Sequence, residues 1–162
     1  ANEFSNFAKM PKANEIELDL SDILKNTVAV FGEQEHAEIE LELAVKDDPI
    51  IWADKDLLLR VFNNLIKNAL QAVPKGMNAR IKVKLIETDT HYNVSVKDNG
   101  VGIKPAEKEK IFVPYFTTKS KGTGLGLAMS KQIIESMQGT IDFETEVNQG
   151  TTFFVNFPKL NR

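Results

Sequence analysis

Apolar positions along the chain fall into two spacings. Ile16, Leu18 and Leu20 alternate with Glu17 and Asp19, and Ile39, Leu41, Leu43 and Val45 alternate with Glu40 and Glu42. Ile81, Val83 and Leu85 repeat the pattern, and after a turn at residues 88–90 so do Tyr92, Val94 and Val96. A period of two puts alternate side chains on one face of an extended chain, so these segments predict half-buried strands, the last two as an antiparallel hairpin. A helical spacing links Ile23, Leu24, Thr27, Val28 and Phe31, with Ser21 placed to cap the helix start. The apolar run of residues 50–53 leads to Asp54, the expected N-cap of a longer helix that reaches about Val73 and is stopped by Pro74, Lys75 and Gly76. At the start of the chain Phe4, Phe7 and Ala8 share a helical face that should end before Pro11.

The second half reads differently. Residues 98–126 show little periodicity yet hold five of the nine glycines, which predicts a long functional loop with at most a short helix near residues 106–112. A helix over about residues 124–137 follows, then strands over 140–145 and 151–157 turned at Asn148, Gln149 and Gly150. Helices and mainly antiparallel strands alternating in blocks imply a two-layer α/β sandwich.

Composition narrows the function. The chain has 162 residues, enough for one domain with a real core, and its formal charge of −3 supplies no global field for nucleic acid or anionic lipid. Phosphate binding would therefore have to be local. With no cysteine and only His36 and His91, thiol catalysis, disulfides and thiolate zinc sites are excluded. No run of about 18 apolar residues is available to span a membrane, and no leader opens the chain, so no membrane contact by this polypeptide is expected. A start at Ala1 rather than Met suggests a piece of something longer.

Three strings carry candidate chemistry. In VFNNLIKNALQAV, Asn64 and Asn68 interrupt the stripe Leu57, Val61 and Ala72, either as core amides satisfied by backbone groups or as oxygen ligands for a hard cation such as Mg²⁺. Asp98 closes a predicted strand and runs into Asn99-Gly100-Val101-Gly102-Ile103, which is equally good chemistry for a tight turn or for a carboxylate taking a proton from an exocyclic amine. The second case favours adenine, whose N6 donates, over guanine, whose O6 accepts. Gly122-Thr123-Gly124-Leu125-Gly126-Leu127 opens a helix whose unpaired N–H groups could cradle phosphate, without the Lys-Ser/Thr of a P-loop or the βαβ unit of a dinucleotide fold. Lys104, Lys119 and Lys121 lie between the glycine strings, with Phe112, Tyr115 and Phe116 as aromatics able to pin a lid.

Taken in order, these strings resemble the ATP-binding domain of sensor histidine kinases, in the family that includes gyrase, the Hsp90 chaperone and MutL. NNLIKNALQA resembles its asparagine box, DNGVGI its first glycine box, IFVPYFTTK its phenylalanine box and GTGLGL its second glycine box. The likeness spans about residues 15–158, and NALQA with FSNFAKMP looks most like nitrogen-regulation-type sensor kinases. Residues 1–11 would then end the preceding dimerisation helix, and residues 12–162 would form the catalytic domain with three main helices on one face of a mixed sheet and a mobile lid.

The resemblance implies Mg²⁺ on Asn68 and adenine against Asp98 and Gly102, with Thr151 supporting the same pocket and Gly100 and Ile103 also at ATP. It places Asn64, Phe112, Thr118, Lys119, Lys121, Gly122, Thr123, Gly124, Leu125, Gly126 and Leu127 around ATP. Many relatives carry a phosphate-contacting Lys where this chain has Gln71, leaving Lys119 or Lys121 to take that contact. ATPase branches carry a water-activating Glu where this chain has Asn64, so the γ-phosphoryl should wait for an acceptor histidine on a helical domain outside the chain. His36, expected at a helix end, and His91, expected in a hairpin turn, read as surface bystanders. The implied partners are that phosphoacceptor domain, in a homodimeric parent, and a response-regulator receiver. The implied location is the cytoplasm, with a parent that can be anchored in the inner membrane. The rival readings are an anti-sigma-type serine kinase, an ATP-dependent conformational clamp and a nonenzymatic nucleotide sensor.

Overall fold

The computed structural model describes residues 12–116 and 126–160. Elements run β1 (Ile16–Asp19), α1 (Leu20–Phe31), β2 (Ala37–Ala44), β3 (Ile50–Ala53), α2 (Lys55–Ala72), β4 (Ala79–Glu87), β5 (His91–Lys97), a 3₁₀ turn at Pro105–Glu107, α3 (Gly126–Ser136), β6 (Thr140–Glu146) and β7 (Gly150–Pro158). Five strands form one mixed sheet in the order β2-β4-β5-β7-β6, in which β2 and β4 are parallel and the other pairs antiparallel. β1 and β3 stand apart as a two-stranded antiparallel sheet.

Register explains why one face is core. Leu41, Val83, Val96, Phe153 and Phe143 pair strand by strand into one apolar row, and Leu43, Leu85, Val94, Val155 and Ile141 form the next. Onto these rows α2 lays Leu58, Phe62, Leu65, Ile66 and Ala69, all buried, while α1 and α3 flank α2. This is the expected two-layer α/β sandwich, with three helices over a mixed, mainly antiparallel sheet. The alternating side chains on the other face are mostly polar, and Lys82 and Lys84 on β4 reach Glu42 on β2 at 3.5 and 3.1 Å.

Local departures from the sequence reading have physical causes. Asp19, not Ser21, caps α1: its carboxylate accepts from the Ser21 amide at 2.8 Å and from the Ser21 hydroxyl, so Ser21 lies inside the first turn. Asp54 caps α2 as expected, accepting from Leu57 N at 3.0 Å, and also holds Asn14 N at 2.7 Å. Near residues 106–112, where at most a short helix is expected, there is the 3₁₀ turn followed by further i to i+3 turns; Lys108, Glu109 and Lys110 are exposed, and Ile111 and Phe112 turn inward. His36 lies beyond the end of α1 in a turn with φ of 64°, and His91 is the first residue of β5; both are exposed. The segment expected to end a dimerisation helix, residues 1–11, lies outside the described residues. Among the described residues no helix is long and apolar enough to cross a membrane.

Glu87 fastens the chain's far end. Its carboxylate accepts from Lys159 Nζ at 2.7 Å and from the backbone amide of Lys46 at 2.7 Å. The Lys159 and Lys46 hydrogen bonds hold Glu87 below the usual carboxylate value of 4.5, and the Glu87 bond raises Lys159 above 10.5. The Glu87 contribution to stability is therefore complete above about pH 4.5 and fades as pH falls through its lowered folded value. The Lys159 contribution is complete below 10.5 and fades as pH rises through its raised folded value. Glu87→Gln should flatten both limbs of melting temperature against pH, and more so at low salt, because both groups sit near solvent.

Candidate functional site

Asp98 follows β5 directly and is only 4% exposed. One carboxylate oxygen, Oδ1, accepts from Gly100 N at 2.8 Å and from Thr151 N at 3.1 Å, while Asp98 N donates to Thr151 O at 2.9 Å. A buried carboxylate without such donors would carry a large desolvation cost, and two backbone amides offset much of it while fixing the side-chain rotamer. The strand pairing supplies the geometry: β7 lies beside β5, so Thr151, near the start of β7 and 5% exposed, falls next to the residue where β5 ends.

Beyond Asp98 the glycine string is tied down at several points. Val101 N donates to Ala72 O at 3.0 Å and Asn148 N to Val101 O at 2.8 Å, which joins the string to the end of α2 and to the β6–β7 turn. Gly102 has φ of 76°, and a Cβ there would fall on the Glu146 backbone. Its bareness is thus required by the fold as well as available to a ligand. Ile103, half-buried, donates its amide to Thr145 Oγ1 at 2.9 Å. That hydroxyl also lies 2.8 Å from Thr151 Oγ1 and 3.2 Å from Gly150 O. Asn99 braces the outside of the turn, accepting from Arg80 N at 2.8 Å and donating to Asn78 O at 3.0 Å.

Asn64 on α2 faces the third helix, α3. Asn64 and Asn68, one turn apart, are both half-buried. Asn64 Nδ2 donates to Ser130 Oγ at 3.4 Å, and a Cβ added to Gly126 would fall onto the Asn64 amide. Glycine at the first residue of α3 therefore leaves room for the Asn64 side chain in its present position. Leu127 is half-buried against the core. Phe112 packs edge-on to Phe143 and Phe153, with centroids 6.0 and 6.4 Å away, and Lys131 Nζ sits 5.1 Å from its ring centre. Phe116 is half-buried against the core, and Tyr115 is exposed.

The structure thus joins Asp98, Gly100 and Thr151, and through Thr145 also Ile103, by hydrogen bonds, with Gly102 between Gly100 and Ile103 packed on the Glu146 backbone, and it sets Asn64 against Gly126 on the neighbouring helices. Phe112 anchors the segment leading out of the first glycine string. Thr118, Lys119, Lys121, Gly122, Thr123, Gly124 and Leu125 lie outside the described residues. Thr145 and Ser130 were not singled out in the sequence. Thr145 was legible in principle, since a turn at residues 148–150 sets it opposite Thr151, as the register shows. Ser130 gave no signal, because only the packing of α3 on α2 brings it to Asn64. His91 and His36 each line a separate surface hollow of about 340 Å³ that contains none of the candidate residues.

Residues 53–161 match the family described as histidine kinase-, DNA gyrase B- and HSP90-like ATPase. Among curated relatives, sporulation kinase E of Bacillus subtilis (strain 168) is 34% identical over 158 residues, covering 96% of this chain and 21% of the relative. The sensor histidine kinase ZraS of Escherichia coli (strain K12) is 37% identical over 143 residues, covering 87% of this chain and 30% of the relative. The chain thus spans about a fifth to a third of these proteins. Among solved structures, the catalytic domain of the histidine kinase ThkA is similar with a TM-score of 0.79 and 34% identity, over 90% of this chain and 96% of that one. ThkA in complex with the response regulator protein TrrA gives a TM-score of 0.81 and 29% identity, over 98% of this chain and 46% of that one. The matched stretch carries α2 with its two amides, Asp98 and its backbone clamp, and Thr151, so the chain belongs to the histidine kinase-, DNA gyrase B- and HSP90-like ATPase family, on the branch of its sensor histidine kinase relatives.

Proposed function

We propose that the chain is the ATP-binding catalytic domain of a two-component sensor histidine kinase, passing the γ-phosphoryl of ATP to a histidine on a separate helical domain. The observation that carries the reading is Asp98: a buried carboxylate, held by two backbone amides at the end of a central strand, suits an exocyclic amino group. Adenine offers that donor and guanine offers an acceptor in its place. Gly100, Gly102, Ile103 and Thr151 shape the base pocket around Asp98. The triphosphate would lie toward Asn64, Asn68 and the start of α3, where Gly126 and Leu127 follow the second glycine string. Thr118, Lys119, Lys121, Gly122, Thr123, Gly124 and Leu125 would complete the phosphate side, and Phe112 would anchor the chain leading to them.

Among the described residues no cluster of three or more His, Cys, Asp or Glu could hold a metal ion. The residues present fit Mg²⁺ only as a cation held chiefly by phosphate and water with one amide oxygen, that of Asn68, which is how this ion is commonly bound at nucleotides. When bound, Mg²⁺ would neutralise charge on the phosphates. Asn64 has no basic group to activate water, so hydrolysis should be slow. In the productive step an imidazole nitrogen bonds to the γ-phosphorus as the bond to the bridging oxygen breaks, and ADP leaves. A response-regulator aspartate would then take the phosphoryl group, as the ThkA–TrrA complex suggests by analogy. The parent would be a homodimer whose kinase domain is cytoplasmic.

Titration calorimetry tests the pocket. ADP should bind and GDP should not, and Asn68→Ala should leave binding largely intact while removing its dependence on Mg²⁺. Equal affinity for the two nucleotides would overturn the reading. Incubated alone with γ-labelled ATP, the chain should carry no label on His36 or His91. Label on either would refute the need for an outside acceptor.

A further inference from the structure

We propose that Thr145 is a positioning residue for the base pocket, locking the Ile103 backbone and setting the direction of the Thr151 hydroxyl proton. This deepens the adenine-pocket reading and rests on it. The inventory of one hydroxyl carries the argument. Thr145 Oγ1 has one proton and two lone pairs, and three groups surround it: Ile103 N at 2.9 Å, Thr151 Oγ1 at 2.8 Å and Gly150 O at 3.2 Å. Ile103 N–H can only donate and Gly150 O can only accept, so the sole freedom lies between the two hydroxyls.

Two arrangements satisfy the geometry. In one, Thr145 gives its proton to Gly150 O and accepts the proton of Thr151, which leaves Thr151 an acceptor toward anything else it meets. In the other, Thr145 gives its proton to Thr151 Oγ1, and the Thr151 proton is released to serve another acceptor. The 2.8 Å contact is common to both, so exchange between them keeps the shortest bond. Thr151 is 5% exposed, and its own amide binds the Asp98 carboxylate, so one residue ties the hydroxyl pair to that acid.

On an adenine whose amino group faces Asp98, the adjoining ring atom N1 is an acceptor. Only the second arrangement complements it directly. By giving its own proton to Thr151 Oγ1, Thr145 turns the Thr151 proton away from itself and orients it as a donor beside a carboxylate that only accepts. By holding Ile103 N it also fixes the backbone that follows Gly102, where a positive φ and close contact with Glu146 leave little slack.

The test uses Thr145→Val and Thr145→Ser, with Thr145→Ala as a second deletion should valine disturb β6. Without nucleotide, hydrogen exchange at the Ile103 amide should quicken at least about tenfold in the valine variant, while the core amides of Val94 and Val155 stay protected. Titration with ADP should show about tenfold weaker binding for valine and wild-type binding for serine. Titration with 1-deaza-ADP, which lacks the ring acceptor, should show little further loss on the same substitution. Equal losses for ADP and the deaza analogue would make Thr145 merely structural and overturn the inference. So would a serine variant that behaves like valine, or a valine variant with unchanged exchange and binding. If the wild-type chain binds no ADP, the adenine reading itself fails and takes this inference with it; each of the other failures occurs with wild-type binding intact and sinks the inference alone.

Discussion

Asp98→Asn should leave the domain folded and weaken ADP binding by roughly 10- to 150-fold, the equivalent of the ~1.5–3 kcal/mol carried by a hydrogen bond to a charged group. Asparagine keeps one carbonyl oxygen, and that oxygen can still accept from Gly100 N and Thr151 N as Oδ1 does now. The other arm changes from acceptor to donor, so it opposes the amino group of adenine and complements the carbonyl of a 6-oxo purine. The variant should therefore also shift preference toward GDP relative to ADP. Titration calorimetry with both nucleotides reads the change, and unaltered ADP affinity would remove Asp98 from the pocket. Alanine is the poorer probe. It strips the acceptor from two buried amides, at a cost of about 1–3 kcal/mol each, and so mixes a folding defect with a binding defect.

Much of this architecture was legible because burial follows the period-two pattern. Ile81, Val83, Leu85, Val94 and Val96 face the core as their alternation predicts, and the Asp54 cap and Pro74 stop bracket α2 at nearly the expected residues. Strand partners were less visible. Nothing local in residues 16–19 or 50–53 says that, among the described residues, they pair only with each other, or that β2 runs parallel to β4. Those outcomes depend on where α1 and α2 deliver the chain. At the site, Asp98 and the amides announced themselves as polar residues breaking apolar patterns. Thr145 did not, because a threonine alternating along a strand is ordinary β chemistry, and its role exists only once β6 and β7 are in register. In the sequence Gly126 belongs to the glycine string of a phosphate cradle. Its contact with Asn64 adds a second role, room for a side chain of the neighbouring helix, that no linear spacing reveals.

Phe62→Ala should produce the opposite separation from Asp98→Asn: a large loss of stability with the nucleotide response retained. Phe62 is fully buried on α2, and its ring lies 6.4 Å from that of Phe157 on β7, so it ties the helix carrying Asn64 and Asn68 to the strand carrying Thr151. Truncating a buried phenylalanine costs about 3–5 kcal/mol through lost transfer energy and the cavity left behind. For a domain of this size that corresponds to a fall in melting temperature of roughly 6–20 °C. No atom of Phe62 belongs to the polar unit around Asp98, so the molecules that remain folded should bind ADP nearly as before. Saturation at about 100 times Kd should then raise stability by ~2.7 kcal/mol in both wild type and Phe62→Ala. Melting scans with and without ADP distinguish the two roles. Phe62→Ala should start low and keep its upward shift, whereas Asp98→Asn should start near wild type and keep only about 0.3–1.4 kcal/mol of it at the same ADP concentration. A Phe62→Ala protein that melts low and also fails to respond to ADP would mean that the helix and sheet move apart when the ring is removed, and that the packing between them is itself part of the binding geometry.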